Sequence, residues 1–302
     1  MNTKNIVIAI LALVLGGAII FLLTQVTGEK LVVVKDTSNE DTSIEKPAVT
    51  EENKEVEEMI VEPSTEEIKT SRGPKSVLGQ SAGGEDITAY HFGVGETELL
   101  FVGGVHGAYS PNTSELANSL VEHFNKNPNE IPNNISITII PTLNPDGSDK
   151  SDNVAGRFNA NNVDLNRNFD CEWSETATWR NQEVSGGTEP FSEPEAAALR
   201  DYITTYQPKA AVVWFSAEGK VYPSSCGRAP GKASIELAAT FATAAGYPAE
   251  AEFDAYAITG DMVNWMSDEG VTAISVLLSD HKNPELDKNL RGVGAVIANY
   301  AE

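Results

Sequence analysis

The chain has 302 residues, a formal net charge of -23 and a pI near 4.5, so nucleic acid and anionic lipid surfaces are repelled and neither is expected as a ligand. That length allows one large domain with appendages. Nothing in the composition fixes an oligomeric state.

Residues Ile6 to Leu23 form eighteen uninterrupted apolar residues behind Lys4, about the length that crosses a bilayer core as a helix. Residues 1–28 are therefore expected to be a transmembrane anchor. The other reading is a cleaved signal peptide, whose apolar core would be shorter and followed by a small-x-small site that "TQVTGEK" does not supply. With Lys4 inside, a single-pass protein of the cell membrane is expected, its remainder extracytoplasmic. Residues 29–74 are expected to be a disordered acidic linker. Between Asp36 and Glu67 twelve carboxylates face only Lys46 and Lys54, too little apolar surface to fold.

From Lys75 to Glu302 short β-rich runs alternate with helical ones. "ITAYHFG" and "ELLFVGGVHG" read as strands, and an amphipathic helix follows from Pro111 to Phe124. "ISITIIPTLNPDG" is a buried strand ending in a turn at Asn144, Pro145, Asp146 and Gly147. "SEPEAAALRDYITTY" opens with Ser192 as the expected N-cap and Glu195 three residues on, a capping box. "AAVVWFSAEG" reads as a central strand covered on both faces. After it come the helix "ASIELAATFATAAG", the segment "GDMVNWMSDEG", the strand "AISVLLSD" and a closing helix near Leu290 to Tyr300. Alternation of this kind predicts one α/β domain on a mixed or parallel sheet. In such sheets functional groups gather at the carboxyl ends of strands, here His106, Asn144, Phe215 to Glu218 and Leu277 to His281.

A histidine lifted on a glycine turn after a strand suits a metal ligand or a base. The asparagine-rich stretch "GRFNANNVDLNRNFD" adds Arg157 and Arg167, whose planar guanidinium forks suit a carboxylate ligand. They equally suit local acids such as Asp164 and Asp170. Two cysteines, Cys171 and Cys226, are expected to form a disulfide outside the membrane.

From about Val77 to its end the chain resembles the zinc metallocarboxypeptidases of the carboxypeptidase A type, the M14 peptidases. The resemblance rests on "GGVHG", "NPDG", "GRFNANNVDLNRNFD", "PFSEPEAAALRDYI" and "YAITGDMVNW", in that order. It implies a mixed eight-stranded sheet flanked by helices, with His106 as first zinc ligand. It implies Asn166 and Arg167 holding a substrate's terminal carboxylate, Arg157 polarising the scissile carbonyl, and Tyr256 closing over the substrate. Val263 would lie in the pocket for the C-terminal side chain.

The same resemblance places Tyr109 or Ser110 at the second zinc ligand, Phe215 at the third, and Leu277 at the glutamate general base. No catalytic acid or base is then assigned. One imidazole does not hold zinc at trace concentration. Glu218, Asp280 and His281 follow nearby as the donors from which a metal site could be rebuilt. His281 otherwise reads as a surface residue, and His91 and His123 as structural. The reading is a membrane-anchored domain, impaired or inactive as a peptidase, with zinc weak or absent. It would bind the C-terminal carboxylates of peptides or of peptidoglycan stem peptides. The alternatives are an active zinc carboxypeptidase with a non-standard metal site, and a structural surface domain without ligand.

Overall fold

The computed structural model describes residues 72–150 and 154–302. The expected anchor at 1–28, and the linker up to residue 71, lie outside the described residues. Among those residues no helix is long and apolar enough to cross a membrane.

The apolar runs become strands β1 (Lys75–Gln80), β2 (Asp86–Gly93), β3 (Thr97–Val102), β4 (Ile135–Ile140), β7 (Ala210–Ser216), β8 (Lys220–Pro223) and β9 (Thr272–Leu278). They form one mixed sheet in the order β1-β2-β4-β3-β7-β9-β8. β4, β3, β7 and β9 are mutually parallel; β2 and β8 flank them antiparallel, and β1 pairs antiparallel with β2 at the outer edge. Among the described residues the sheet thus has seven strands where eight were expected. β5 (Thr176–Trp179) and β6 (Gln182–Ser185) pair only with each other. They bury Ala177, Trp179 and Val184 against Tyr109, Phe158 and Tyr256, above the strand ends rather than along an edge.

Central strands are apolar on both faces because helices cover both. Leu99, Phe101, Val212 and Trp214 pack against α1 (Pro111–Lys126), α3 (Lys232–Ala245) and α5 (Leu286–Ala301). Leu100, Val102, Ala211 and Val213 alternate to the other face, against α2 (Pro194–Tyr206) and α4 (Met262–Asp268).

Two local expectations are corrected. The N-cap of α2 is Glu193, not Ser192, because Pro194 takes the first helical position with its φ already fixed. Ser192 Oγ accepts instead from Asn168, and Glu195 accepts from Ala82 N and Asn159, so both partners of the expected capping box serve tertiary bonds. Helix α5 begins at Leu286, one turn before Leu290.

Candidate functional site

Three loops meet at the carboxyl ends of the parallel strands, and glycines let them touch. Gly107, at φ +41° in the turn after His106, lies so close to Gly147 and Gly156 that a Cβ there would stand 2.5 Å from Gly147 C and 2.7 Å from Gly156 O. That contact brings together His106 after β3, the helical turn begun by Asn144 after β4, and the short 3-10 turn ending at Arg157. Asn144 accepts from Gly147 N at 2.9 Å and lies 3.4 Å from Arg157 O, tying the second loop to the third.

His106 is only 4% exposed. Its Nδ1 faces Arg157 Nη1 at 3.2 Å, and its Nε2 faces Asp164 Oδ1 at 3.5 Å, an ion-pair separation too long for a hydrogen bond. Arg157 Nε donates to Asp164 Oδ2 at 2.7 Å, and its guanidinium lies 4.6 Å from the Trp179 ring centre. Burial, followed by the adjacent Arg157 charge, lowers the His106 pKa to about 4, so the ring is neutral at pH 7. Burial alone would raise the Asp164 carboxyl, but Arg157 and neighbouring groups hold it well below the usual carboxylate range.

The segment after Asp164 presents Asn166 and Arg167. Asn166 Nδ2 donates to Asp261 Oδ2 at 2.7 Å and its Oδ1 accepts from Met262 N at 3.1 Å, so this amide is engaged within the protein. Arg167 is 1% exposed; its Nε donates to Thr178 O at 3.1 Å and its Nη1 to Asn166 O at 2.6 Å. Among the described residues no carboxylate stands within ion-pair distance of it. Of the local acids expected for the arginines, Asp164 pairs with Arg157, while among the described residues neither Asp170 nor another carboxylate pairs with Arg167. Burial pushes the Asp261 carboxyl up.

These side chains surround a cleft enclosing about 800 Å³, open solvent at its mouth included, a size that admits a small ligand. His106, Arg157, Asn166, Arg167 and Tyr256 all line it, as do Tyr109, Phe215 and Leu277. Phe215 and Leu277 are register partners on adjacent parallel strands, and the Phe215 ring lies 5.5 Å from that of His106. Tyr109 packs edge-on against Trp179 at 5.3 Å. Half-buried Tyr256 sits with Phe253 over the cleft, 6.0 Å from the Arg167 guanidinium.

Val263 is not in the cleft wall. It is 0% exposed in the core with Met262 and Met266, because successive helical residues diverge by about 100° and it is Asn264 that turns toward the cleft. Nor is His281 an ordinary surface residue: its ring packs at a tilt against Tyr109, centres 4.6 Å apart, and its Nδ1 lies 3.3 Å from buried Ser110 Oγ. The acids considered for a rebuilt metal site are engaged elsewhere. Glu218 accepts from Tyr222 Oη at 2.5 Å, and Asp280 Oδ1 accepts from Lys282 N and Asn283 N at 2.7 Å. His91 is buried between Ser76 and Thr138, and His123 pairs with Glu130 at 2.7 Å, both structural as expected.

Cys171 and Cys226 form the expected disulfide, with Cα atoms 5.6 Å apart. It joins the loop after Arg167 to the loop after β8. Cys171 O accepts from Gly260 N, so the Arg167 loop is also tied to the loop bearing Tyr256. A Cβ on Gly260, at φ +64°, would lie 2.1 Å from Arg167 O, so only glycine permits this approach. Sequence reasoning missed Trp179, Arg180 and Asp261, which also line the cleft; "TWRNQEV" carries only a hairpin signal.

Residues 71–291 match the zinc carboxypeptidase family, Peptidase M14. The chain belongs to that family. A stretch of 138 residues is 36% identical to bacteriocin BCN5 of Clostridium perfringens, covering 43% of this chain and 15% of that protein. Another comparison gives 32% identity over 123 residues with carboxypeptidase D of Homo sapiens, covering 37% of this chain and 8% of that protein. The chain thus spans only a small part of the length of these relatives. Among solved structures, bovine thrombin-activatable fibrinolysis inhibitor matches with a TM-score of 0.64 at 23% identity, over 78% of this chain and 94% of that one. Murein-tripeptide amidase MpaA from Escherichia coli O157 matches with a TM-score of 0.56 at 20% identity, over 77% and 94%. Both show the shared fold.

Proposed function

We propose that this zinc carboxypeptidase-family domain holds the C-terminal carboxylates of peptides and is impaired in hydrolysing them. The observation that carries the reading is Arg167, a buried guanidinium that lines the cleft without a carboxylate partner among the described residues. An isolated buried charge is costly, and burying it is favourable only with an anion supplied. A peptide's terminal carboxylate fits the fork, with Arg157 beside it and Tyr256 at the mouth. The stem peptides of peptidoglycan are one source of such termini, and murein tripeptide is named for one structural neighbour.

Loss of hydrolysis is supported by the surroundings of His106. Zinc in a catalytic site takes three protein ligands and leaves a place for water. Here the Nδ1 of the one imidazole meets a guanidinium, the nearest carboxylate is already ion-paired, and the register neighbours at the strand ends are Phe215 and Leu277. Among the described residues no three His, Cys, Asp or Glu side chains gather. That donor set does not fit zinc, and no carboxylate stands at Leu277 to take a proton from water, help worth about 100 to 10,000-fold where it exists.

Calorimetry on the full-length chain tests both parts. N-acetyl-tetra-alanine is expected to bind, with affinity falling at least about tenfold in Arg167→Ala; unchanged affinity in the variant overturns the reading. Sub-micromolar, one-to-one zinc binding lost in His106→Ala would restore a peptidase. The proposed location, outside the membrane behind residues 1–28, is tested by protease treatment of intact cells, which should remove the domain.

A further inference from the structure

Resting on that reading of Arg167, we propose that Arg180 and Trp179 form a second anion subsite in the same cleft, which selects peptides carrying an acidic side chain one or two positions before the C-terminal residue. Arg180 projects from the two-residue turn between β5 and β6 and lines the cleft with Arg157 and Arg167. The chain holds 44 acidic against 21 basic residues, yet among the described residues no carboxylate pairs with Arg180. Its guanidinium lies 5.2 Å from the Trp179 ring centre, while Arg157 stands 4.6 Å from the same ring. Trp179 itself is buried, so the indole is a fixed plate against which Arg180 is held.

Arg180 adopts φ +57°, as two-residue hairpin turns require and as glycine favours. Acids in the cleft do not compensate it: Glu218 accepts from Tyr222, and Asp261 from Asn166.

The spacing sets the position of the second charge. Arg167 Nε is bonded to Thr178 O, and Arg180 stands in the turn that ends the same strand, so both guanidiniums line one cleft. An extended peptide in that cleft advances by about 3.4 Å per residue. Its terminal carboxylate on Arg167 would therefore set a side chain one or two residues earlier beside Arg180, in the open part of the cleft.

Calorimetry on the full-length chain would compare N-acetyl-Ala-Ala-Ala-Ala with N-acetyl-Ala-Glu-Ala-Ala and N-acetyl-Ala-Ala-Glu-Ala. One of the glutamate peptides is expected to bind about three- to fivefold tighter than the alanine peptide, with the advantage shrinking as salt is raised. Arg180→Gly, which suits the positive φ and so keeps the turn, should bring the ratio to about one, and Arg180→Lys should retain part of it. Arg167→Ala should weaken all three peptides together. Equal affinities in the unmodified protein, or a ratio that survives Arg180→Gly, overturn the subsite while leaving the carboxylate reading intact. Failure of every peptide to bind overturns both.

Discussion

The sheet carries a buried arginine at each end, and the two are treated differently. At the amino-terminal end of β3, Glu98 is 0% exposed and its carboxylate accepts from both terminal nitrogens of Arg72 at 3.1 Å, from Ser136 at 2.7 Å, and from Thr138 and Tyr202 at 2.6 Å. At the carboxyl-terminal end Arg167 is as deeply buried and donates to backbone carbonyls, and among the described residues no carboxylate comes within ion-pair distance of it. Burial raises the Glu98 pKa, yet Arg72 and the hydroxyls outweigh it and bring it down to about 2. A network whose charge is met within the protein holds the fold; one left open toward a cleft is available to a ligand.

Substitutions at the two ends should separate these roles. The largest loss is expected from Glu98→Ala, which leaves Arg72 buried without its acid: about 3 to 5 kcal/mol in urea unfolding, with N-acetyl-tetra-alanine affinity unchanged by calorimetry. A fall in affinity as large as that of Arg167→Ala would erase the distinction. Replacing both cysteines with alanine should cost about 4 kcal/mol, the chain-entropy value for a 55-residue loop. Because the bond tethers the Arg167 loop, this variant should also bind the peptide more weakly; unfolding at an unchanged urea midpoint would contradict the expectation.

Acid should act on both ends, since His91 at the closed end and His106 at the cleft are each lowered to about 4. Burial, with the Arg72 charge second, lowers the pKa of His91 to about 4 from an ordinary 6.5. A group whose pKa is depressed by folding adds stability above its unfolded value and loses it as pH falls toward its folded one. Thermal unfolding should therefore show a loss of about 2 kcal/mol from each histidine between pH 6.5 and 4, and a further loss below about pH 4.5 as Glu98 approaches its folded value near 2. His91→Asn should remove its share of the first part, and a pH profile unchanged by that substitution would refute the assignment. The smallest change in stability is expected from Arg167→Met, less than about 1 kcal/mol or a gain, since it removes an unpaired buried cation. A destabilisation matching Glu98→Ala would mark Arg167 as structural.

Much of this arrangement was legible in the sequence. Alternation of strands and helices gave the layers, the glycine turn gave His106 its place at a strand end, and the two cysteines do meet. What escaped depended on rotation and on distance. "GDMVNW" marks the right segment, but one step around a helix decides that Asn264 rather than Val263 meets the cleft. His281 is 172 residues from Tyr109, and no local pattern announces their contact. "ELLFV" reads as an apolar strand, while Glu98 at its head organises a buried network with partners from Arg72 to Tyr202. For Arg167, periodicity could not distinguish a paired charge from an unpaired one; that turns on whether a carboxylate comes within ion-pair distance, and none among the described residues does.

The pairing of Arg72 with Glu98 also has a positional consequence. Arg72 is bonded to Glu98 and Tyr202, and through Glu98 linked to Ser136 near the start of β4, all at one end of the sheet. Arg72, where the described chain begins, is thus fastened at the end of the sheet opposite the cleft.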